Sequence, residues 1–503
     1  MSNTETNKKE FSYGILFFPA LIIGLTVGYF MGYQELVTDF LKATGLLILA
    51  LSILVVIHEF GHFITAKMFG MRVERFYLFF DFLFPMPNVM NFALWKKQIG
   101  DTEYGLGWFP MGGYVNITGI IDEAMDETQV SGPPQPWEFR AKPIWQRIIV
   151  MLGGIIMNVL LGILIFSTLK YMYGENRTPL ATCNHKIEVI DTMTVINKKG
   201  KKVVKKSLGY VLGFRNGDKI VSFMGQKYPY YEDYSDPKLL LESNAYYEIE
   251  RENKPMRIDI PSSAINLMAN DTILAELFTP NIKELPAKIV VTEGSPAEKA
   301  GIKSGANILK IDSTSVHFFT ELKEVLNKCA PKQMVKVQIE GKSEAISVTL
   351  DSAKHLGVMP FIKQDTIHYG FFASIAKGTA QAFGVVTTNA RGLGKMAKGE
   401  VDASKSVMGP LGIAKQYLSI FTRGGWKGFM FLTGMLSMAL AFMNFLPIPA
   451  LDGGHVVVLL VEGALGRELS ISTKMRIQQV GMVVLLGLMV LIFGNDFFSH
   501  FFR

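Results

Sequence analysis

Five apolar runs, at residues 11–31, 44–69, 144–173, 429–446 and 477–493, are each close to or above the roughly 17–25 residues a helix needs to cross a bilayer. In lipid only helices and closed barrels pair every backbone group internally, so runs of this kind dictate a bundle of spanning helices. The interval 174–425 is too polar and too interrupted to join that bundle and predicts a soluble insert. Composition agrees: 49% of the 503 residues are hydrophobic, more than a soluble chain carries and less than a pure membrane bundle. The net charge of +7, from 51 basic and 44 acidic residues, is explained by lysines and arginines flanking the spans and calls for no nucleic acid.

Charge placement also orients the bundle. Lys67, Arg72, Arg75, Lys96 and Lys97 follow the second run, and Arg140, Lys142 and Arg147 lead into the third. Arg467, Lys474 and Arg476 lie between the fourth and fifth, whereas Glu35 and Asp39 separate the first two. The positive-inside rule then puts the N-terminus and residues 70–143 and 455–476 in the cytoplasm, and the insert outside. Residues 11–31 follow Lys8 and Lys9 as a signal peptide would, but their length favours an uncleaved helix. Cys183 and Cys329 are read as unpaired structural residues that cannot hold a metal by themselves.

Within the insert, β-rich runs at 187–195, 219–223, 246–250 and 335–339 alternate with Gly, Asn, Asp and Pro turns. Gly213-Phe-Arg-Asn-Gly-Asp-Lys-Ile220 and Gly294-Ser-Pro-Ala-Glu-Lys-Ala-Gly-Ile-Lys-Ser-Gly-Ala-Asn-Ile308 each set a glycine turn before a strand, with Ala306 standing where the first copy has Asp218. Both passages resemble PDZ domains, which take peptide or protein termini as an added strand. The lysines of 198–206 read as a solvated turn or a contact with anionic lipid. Residues 371–398 carry Phe372, Ile375, Ala382, Phe383 and Val386 at helical spacing. They predict an amphipathic helix lying on the outer membrane surface or packed on the soluble domains.

The chemistry is concentrated in His58-Glu59-Phe60-Gly61-His62, inside the second run. An ionised group at that depth costs about 2.5–3.5 kcal/mol or more, so the chain needs a compensating partner. On a helix His58 and His62 share one face and can aim both rings at one metal ion. Glu59, beside them, is spaced to activate a water rather than to ligate. A zinc site needs a third protein ligand and an open position, and Asp452 in Asn444-Phe-Leu-Pro-Ile-Pro-Ala-Leu-Asp-Gly-Gly454 is the candidate, ahead of His455. Pro447 and Pro449 interrupt the fourth helix, and Gly453 and Gly454 permit tight turns. Irregular backbone at membrane depth needs a surrounding cavity, which a hydrolytic site supplies.

Residues 58–62 and 444–454 together resemble the site-2 protease family of intramembrane zinc metalloproteases. The PDZ-like insert resembles that family's bacterial regulator-of-sigma-E branch. Trp108-Phe-Pro-Met-Gly-Gly-Tyr-Val115, residues 153–158 and Gly409-Pro-Leu-Gly412 match as well. The resemblance implies one Zn2+ per chain held by His58, His62 and Asp452, with Glu59 as general base. It implies Asn444 near the scissile bond, helping to hold the substrate; Pro447, Pro449, Gly112, Gly113 and Tyr114 are the further candidate substrate contacts. It also implies a multi-pass protein of the bacterial inner membrane, with its active site toward the cytoplasm. Its substrates would be single-span membrane proteins such as pre-trimmed anti-sigma factors or signal-peptide remnants. The chain departs from the family in its extra helix at 11–31 and in Gly153-Gly154, where a Gly-Pro pair is common.

The expected fold is a polytopic α-helical membrane protein of about five spans, with a membrane-associated β-hairpin and two inserted extracytoplasmic PDZ-like α+β domains. The divisions are an N-terminal helix and connector (1–43), the first protease half (44–173), two PDZ-like domains (174–276 and 277–366), the amphipathic segment (367–425) and the second protease half (426–503). The hairpin is placed at 105–118, a Gly-rich apolar stretch. It either dips into the bilayer, offering a free edge that holds substrate extended, or packs as an ordinary cytoplasmic hairpin. Two competing functions remain: a membrane-anchored metalloprotease for soluble or unfolded chains, and a PDZ scaffold that binds metal without hydrolysis.

Overall fold

The computed structural model describes residues 26, 29–82, 91–110, 112–120, 133–196, 202–264, 267, 273–274, 276–281, 283, 285–292, 294–401 and 408–501. The chain divides into two compact units. One comprises Met1–Tyr173, Tyr369–Ala390 and Val407–Arg503, and the other Gly174–His368 and Arg391–Ser406.

The first unit opens with α1 (Gln34–Met68), then β1 (Val73–Leu78), β2 (Ala93–Ile99), β3 (Thr102–Gly107), β4 (Tyr114–Ile117) and α2 (Ile144–Tyr173). After residue 368 come α3 (Phe371–Ala397), whose last turns from Arg391 belong to the second unit, α4 (Pro410–Phe445), α5 (Asp452–Leu465) and α6 (Ile471–Phe501). Among the described residues α1, α2, α4 and residues 471–494 of α6 are long and apolar enough to cross a membrane. The expected first span, 11–31, lies outside the described residues apart from residues 26 and 29–31. Helix α1 begins ten positions before its apolar run, because residues 34–43 contain no Gly or Pro to stop it.

Helix α4 is not one straight rod. Gly425 sits at φ 54°, ψ −143°, outside helical space. Tyr417 packs 5.4 Å from Phe429 and its hydroxyl lies 3.2 Å from Thr433 Oγ1. Residues 417 and 429 of a continuous helix would be about 18 Å apart, so the chain doubles back at Gly425. The apolar run at 429–446 therefore belongs to the second segment alone.

Residues 105–118 do not form a hairpin. The sheet order is β2-β3-β1-β4, with β3 parallel and β4 antiparallel to β1. The two halves of the expected hairpin thus flank a common partner. The actual hairpin joins β2 to β3 through Gly100 and Asp101, with Gly100 at φ 60° where an L side chain would be strained. Gly105 and Gly107 lie inside β3 rather than in a turn; a Cβ there would strike Tyr77 or Phe80, so these glycines mark the close passage of β1 and the segment after it.

Helix α3 meets the first soluble module at its C-terminal end, where Arg391 pairs with Glu242 and Lys395 donates to Ser262 O at 3.3 Å, but its earlier turns have a partner that neither expected placement included. Ala382 is fully buried against Ile165, Phe166, Leu169 and Met438, and a Cβ on Gly378 would meet Ser167. A face of small residues therefore packs on α2 and α4, while Phe371, Phe372 and Phe383 point outward. Amphipathic spacing cannot distinguish a helix bundle from a lipid surface as the partner of the inner face.

Helices α2, α5 and α6 meet in an ion network. The Arg147 guanidinium bonds to Glu462 at 3.3 Å and Glu468 at 2.8 Å, and Lys474 reaches Glu462 at 2.7 Å. Glu462 is almost wholly buried, so its two cations provide the pairing that a buried carboxylate requires.

The second unit holds two separate hydrophobic cores. Ile187, Phe214, Ile220 and Tyr247 centre the first, and Ile289, Phe319, Val335 and Val337 the second. Lys219–Phe223, Tyr246–Arg251 and Lys254–Asp259 form an antiparallel sheet in the first. Thr314–Ser315, Ile308–Ile311, Met334–Ile339 and Ile346–Thr349 form one in the second. The two glycine-turn passages differ in their polar anchors. Asp218 is buried and accepts from Arg251 Nε at 2.7 Å, whereas Ala306 packs beside its core and Asn307 donates to Glu340 at 3.1 Å.

Both cysteines are free, Cys183 buried and Cys329 half-buried. Burial pushes the Cys183 thiol up to about 11, so at pH 8 only about 0.1% of it is thiolate, the nucleophilic form. Titration with a maleimide at pH 8 should therefore modify Cys329 promptly and Cys183 only after denaturation. Fast labelling of two thiols in the native protein, or none after denaturation, would contradict this arrangement.

Candidate metal centre

His58 and His62 are one turn apart on α1 and buried, with about 8% of each surface exposed. Helix α2 passes close because glycines meet at the crossing. A Cβ on Gly61 would fall 2.1 Å from the carbonyl oxygen of Gly153, and one on Gly153 would fall 2.5 Å from that of Gly61. Gly154 presents bare backbone to both imidazoles. A Cβ there would lie 2.5 Å from His58 Cε1 and from His62 Nε2. Gly153-Gly154 therefore admits the rings as well as the helix.

Asp452 arrives from the other end of the chain at the first residue of α5. Pro447 and Pro449 stop α4 from continuing, and the loop turns through Ala450 at φ 75°. Side chains on Gly453 or Gly454 would strike Leu446 O at 2.4 Å or Ile448 O at 2.3 Å. The paired glycines thus let α5 start tight against the loop and turn its carboxylate inward.

The donor atoms converge. Asp452 Oδ2 lies 3.3 Å from His58 Nε2 and 3.4 Å from His62 Nε2, and the two Nε2 atoms are 3.4 Å apart. The other ring nitrogens are engaged elsewhere: His62 Nδ1 with Val150 O at 2.8 Å and His58 Nδ1 with the Asn158 amide at 3.1 Å. With Nδ1–H on each ring, three lone pairs face one another, and Asp452 Oδ2 is buried with no hydrogen-bond donor. A cation satisfies that triangle. Tetrahedral zinc with bonds of about 2.0–2.1 Å sets its donors about 3.3–3.4 Å apart, which the three observed spacings match. Among the described residues these three side chains form the one group of this kind.

The triangle sits in a cleft of about 400 Å³, also lined by Glu59, Gly113, Tyr114, Asn444 and His455. Glu59 faces the cleft outside the donor triangle. Asn444 Nδ2 lies 3.3 Å from His58 Nε2, at the triangle's edge. His455, on the cleft wall, pairs with Gln478 of α6 at 3.2 Å and is not one of the three converging donors. Gly113 is where the chain slips past Val55 of α1, 2.7 Å from a would-be Cβ. Tyr114 stacks on Tyr77 at 5.2 Å and donates to Asp81 at 3.0 Å.

The remaining residues expected to touch substrate lie elsewhere. Gly112 packs against the Phe80 ring and is not part of the cleft wall. Pro447 is exposed, and Pro449 lines a smaller cavity of about 150 Å³ and backs onto Gly481. Their place is in the loop that delivers Asp452. Asn158 and Gly154 were not singled out as site residues from sequence, and no local spacing could have done so, since both reach the site through helix crossing.

Comparison with known proteins agrees with this geometry. The model of peptidase family M50 matches residues 46–488. The regulator of sigma E protease of Haemophilus influenzae is 25% identical over 483 residues, covering 91% of this chain and 99% of that protein. Protease RseP of Yersinia pestis is 26% identical over 484 residues, covering 90% and 97%. A match extending from before the paired histidines to beyond Asp452 takes in every element that builds the centre, and the chain belongs to peptidase family M50, the site-2 proteases.

Proposed function

We propose that this zinc metalloprotease hydrolyses a peptide bond within the membrane-spanning segment of single-span proteins, as a step of regulated intramembrane proteolysis. What supports the reading is the position of the donor triangle along α2, between two interface-favouring aromatic residues. Trp145 precedes Gly154 by nine positions, about 13.5 Å along α2, and Tyr171 follows it by seventeen, about 25.5 Å. Aromatic residues of this kind favour the two membrane interfaces, and the separation of about 39 Å suits a bilayer with its headgroups. The centre then lies inside the bilayer, nearer the end that charge placement assigns to the cytoplasm.

His58, His62 and Asp452 hold the zinc, which when bound polarises a carbonyl and eases deprotonation of water. Glu59, outside the triangle, takes the proton from the attacking water and passes it to the leaving amine. The Asn444 amide, at the triangle's edge, is placed to donate to the substrate carbonyl as negative charge develops there. The outer edge of β4 pairs with no described strand and runs along the cleft wall from Tyr114 to Ile117. A substrate segment added there would be held extended beside Glu59. The two β modules of the second unit resemble PDZ domains and would serve outside the membrane as a size filter or a reader of peptide termini.

The test is cleavage of a purified single-span protein by the detergent-solubilised enzyme, with zinc content measured and the cut mapped by mass spectrometry. A cut within the span, blocked by a zinc chelator and restored by zinc, is the expected result. A cut confined to soluble flanks would favour a membrane-anchored protease acting on unfolded chains. Substrates with their outer domain already trimmed should be cut faster than intact ones, and equal rates would discard the filter.

A further inference from the structure

Asn158 lies on α2 one turn beyond Gly154, with none of its surface exposed. Its side-chain amide is 3.1 Å from His58 Nδ1. With the amide nitrogen facing the ring, the buried Oδ1 has no partner. The two amide orientations differ by a half-turn that barely changes shape. With Oδ1 toward the ring, it accepts from His58 Nδ1–H and the orphaned acceptor disappears.

The residue is also clamped from behind. Ser437 on α4, itself fully buried, donates to the Asn158 carbonyl at 2.7 Å, so α1, α2 and α4 meet at this position. His62 Nδ1–H donates the equivalent bond to a backbone carbonyl, Val150 O, an acceptor that no side-chain change can remove. His58 depends on a side chain. We propose that Asn158 is a positioning residue that fixes His58 as the Nδ1–H tautomer, aiming its Nε2 lone pair at Asp452 and His62. A neutral amide does this without placing a further charge beside Glu59 and Asp452 in the bilayer. The inference rests on the zinc reading above.

The experiment is zinc affinity of the full-length protein in detergent, by competition with a chromophoric chelator, for wild type, N158L and N158D. Melting temperatures of the three metal-free proteins are measured alongside. Loss of an outer partner to a ligating histidine costs about 10–100-fold in metal affinity. That loss is expected for N158L, with metal-free melting near wild type. N158D, which keeps an acceptor at the ring, should bind zinc within a few-fold of wild type. The assignment is overturned by N158L binding as tightly as wild type. It is equally overturned if N158D is as weak as N158L, or if the affinity loss tracks a fall in metal-free melting temperature. A wild type that binds no zinc removes the metal reading itself, and the inference with it.

Discussion

Glu59→Gln is expected to retain zinc and lose peptide-bond cleavage by about 10²–10⁴-fold. Gln preserves the volume and one hydrogen-bonding oxygen but cannot carry a proton from water to amine. His58, His62 and Asp452 keep their spacings of 3.3–3.4 Å, because the carboxylate stands outside the triangle they form. The loss corresponds to about 3–5.5 kcal/mol of transition-state stabilisation. Two measurements decide it: zinc per chain, and kcat/KM on a single-span substrate. A variant that cleaves at the wild-type rate removes Glu59 from the reaction. One that loses zinc as well reassigns the carboxylate to the metal.

The second large effect comes from a single methyl group. Gly154→Ala places a carbon 2.5 Å from ring atoms of both histidines, where ordinary contact begins near 3.4 Å. One escape is for the imidazoles to shift by about 1 Å, far beyond the roughly 0.2 Å that ligand geometry tolerates. The other is for α2 to withdraw, which would open the contact in which Gly61 and Gly153 touch through backbone atoms. Either route should lower zinc affinity by at least about 10²-fold, combining lost ligation with overpacking of about 1–3 kcal/mol. Gly162→Ala on the same helix is the control. Its methyl would meet the Met438 side chain, which is flexible and can move aside, so zinc binding and activity should stay near wild type. Equal damage from both substitutions would trace the effect to helix packing in general.

The ligands were legible in the sequence because each is announced locally. The histidines repeat at helical spacing in an apolar run, and Asp452 follows two helix-breaking prolines. Those prolines were legible as breakers but not as to what they serve, since a broken helix lining a cleft and one delivering a side chain look alike in sequence. The crossing of α1 and α2 was hidden because it rests on residues without side chains. Asn158 was hidden with it, since its partner His58 lies 100 positions away. The sheet was misread for a related reason. Parallel pairing of β1 with β3 is a long-range choice, whereas turn signals report only nearest neighbours. The start of α1 was mislocated because the helix continues N-terminally of its apolar run, through residues with no Gly or Pro to stop it.

The outer edge of β4 sets a condition on whatever is cut. A span held on that edge has to leave its helix first, and in lipid each exposed backbone group costs several kcal/mol. A strand of four residues, Tyr114–Ile117, returns about four hydrogen bonds at most. The remainder has to come from the substrate, through residues that make its helix poor to begin with; a glycine weakens one by about 1 kcal/mol and a proline by about 3. Selection would then fall on how readily a span melts near the scissile bond, more than on any side chain it presents.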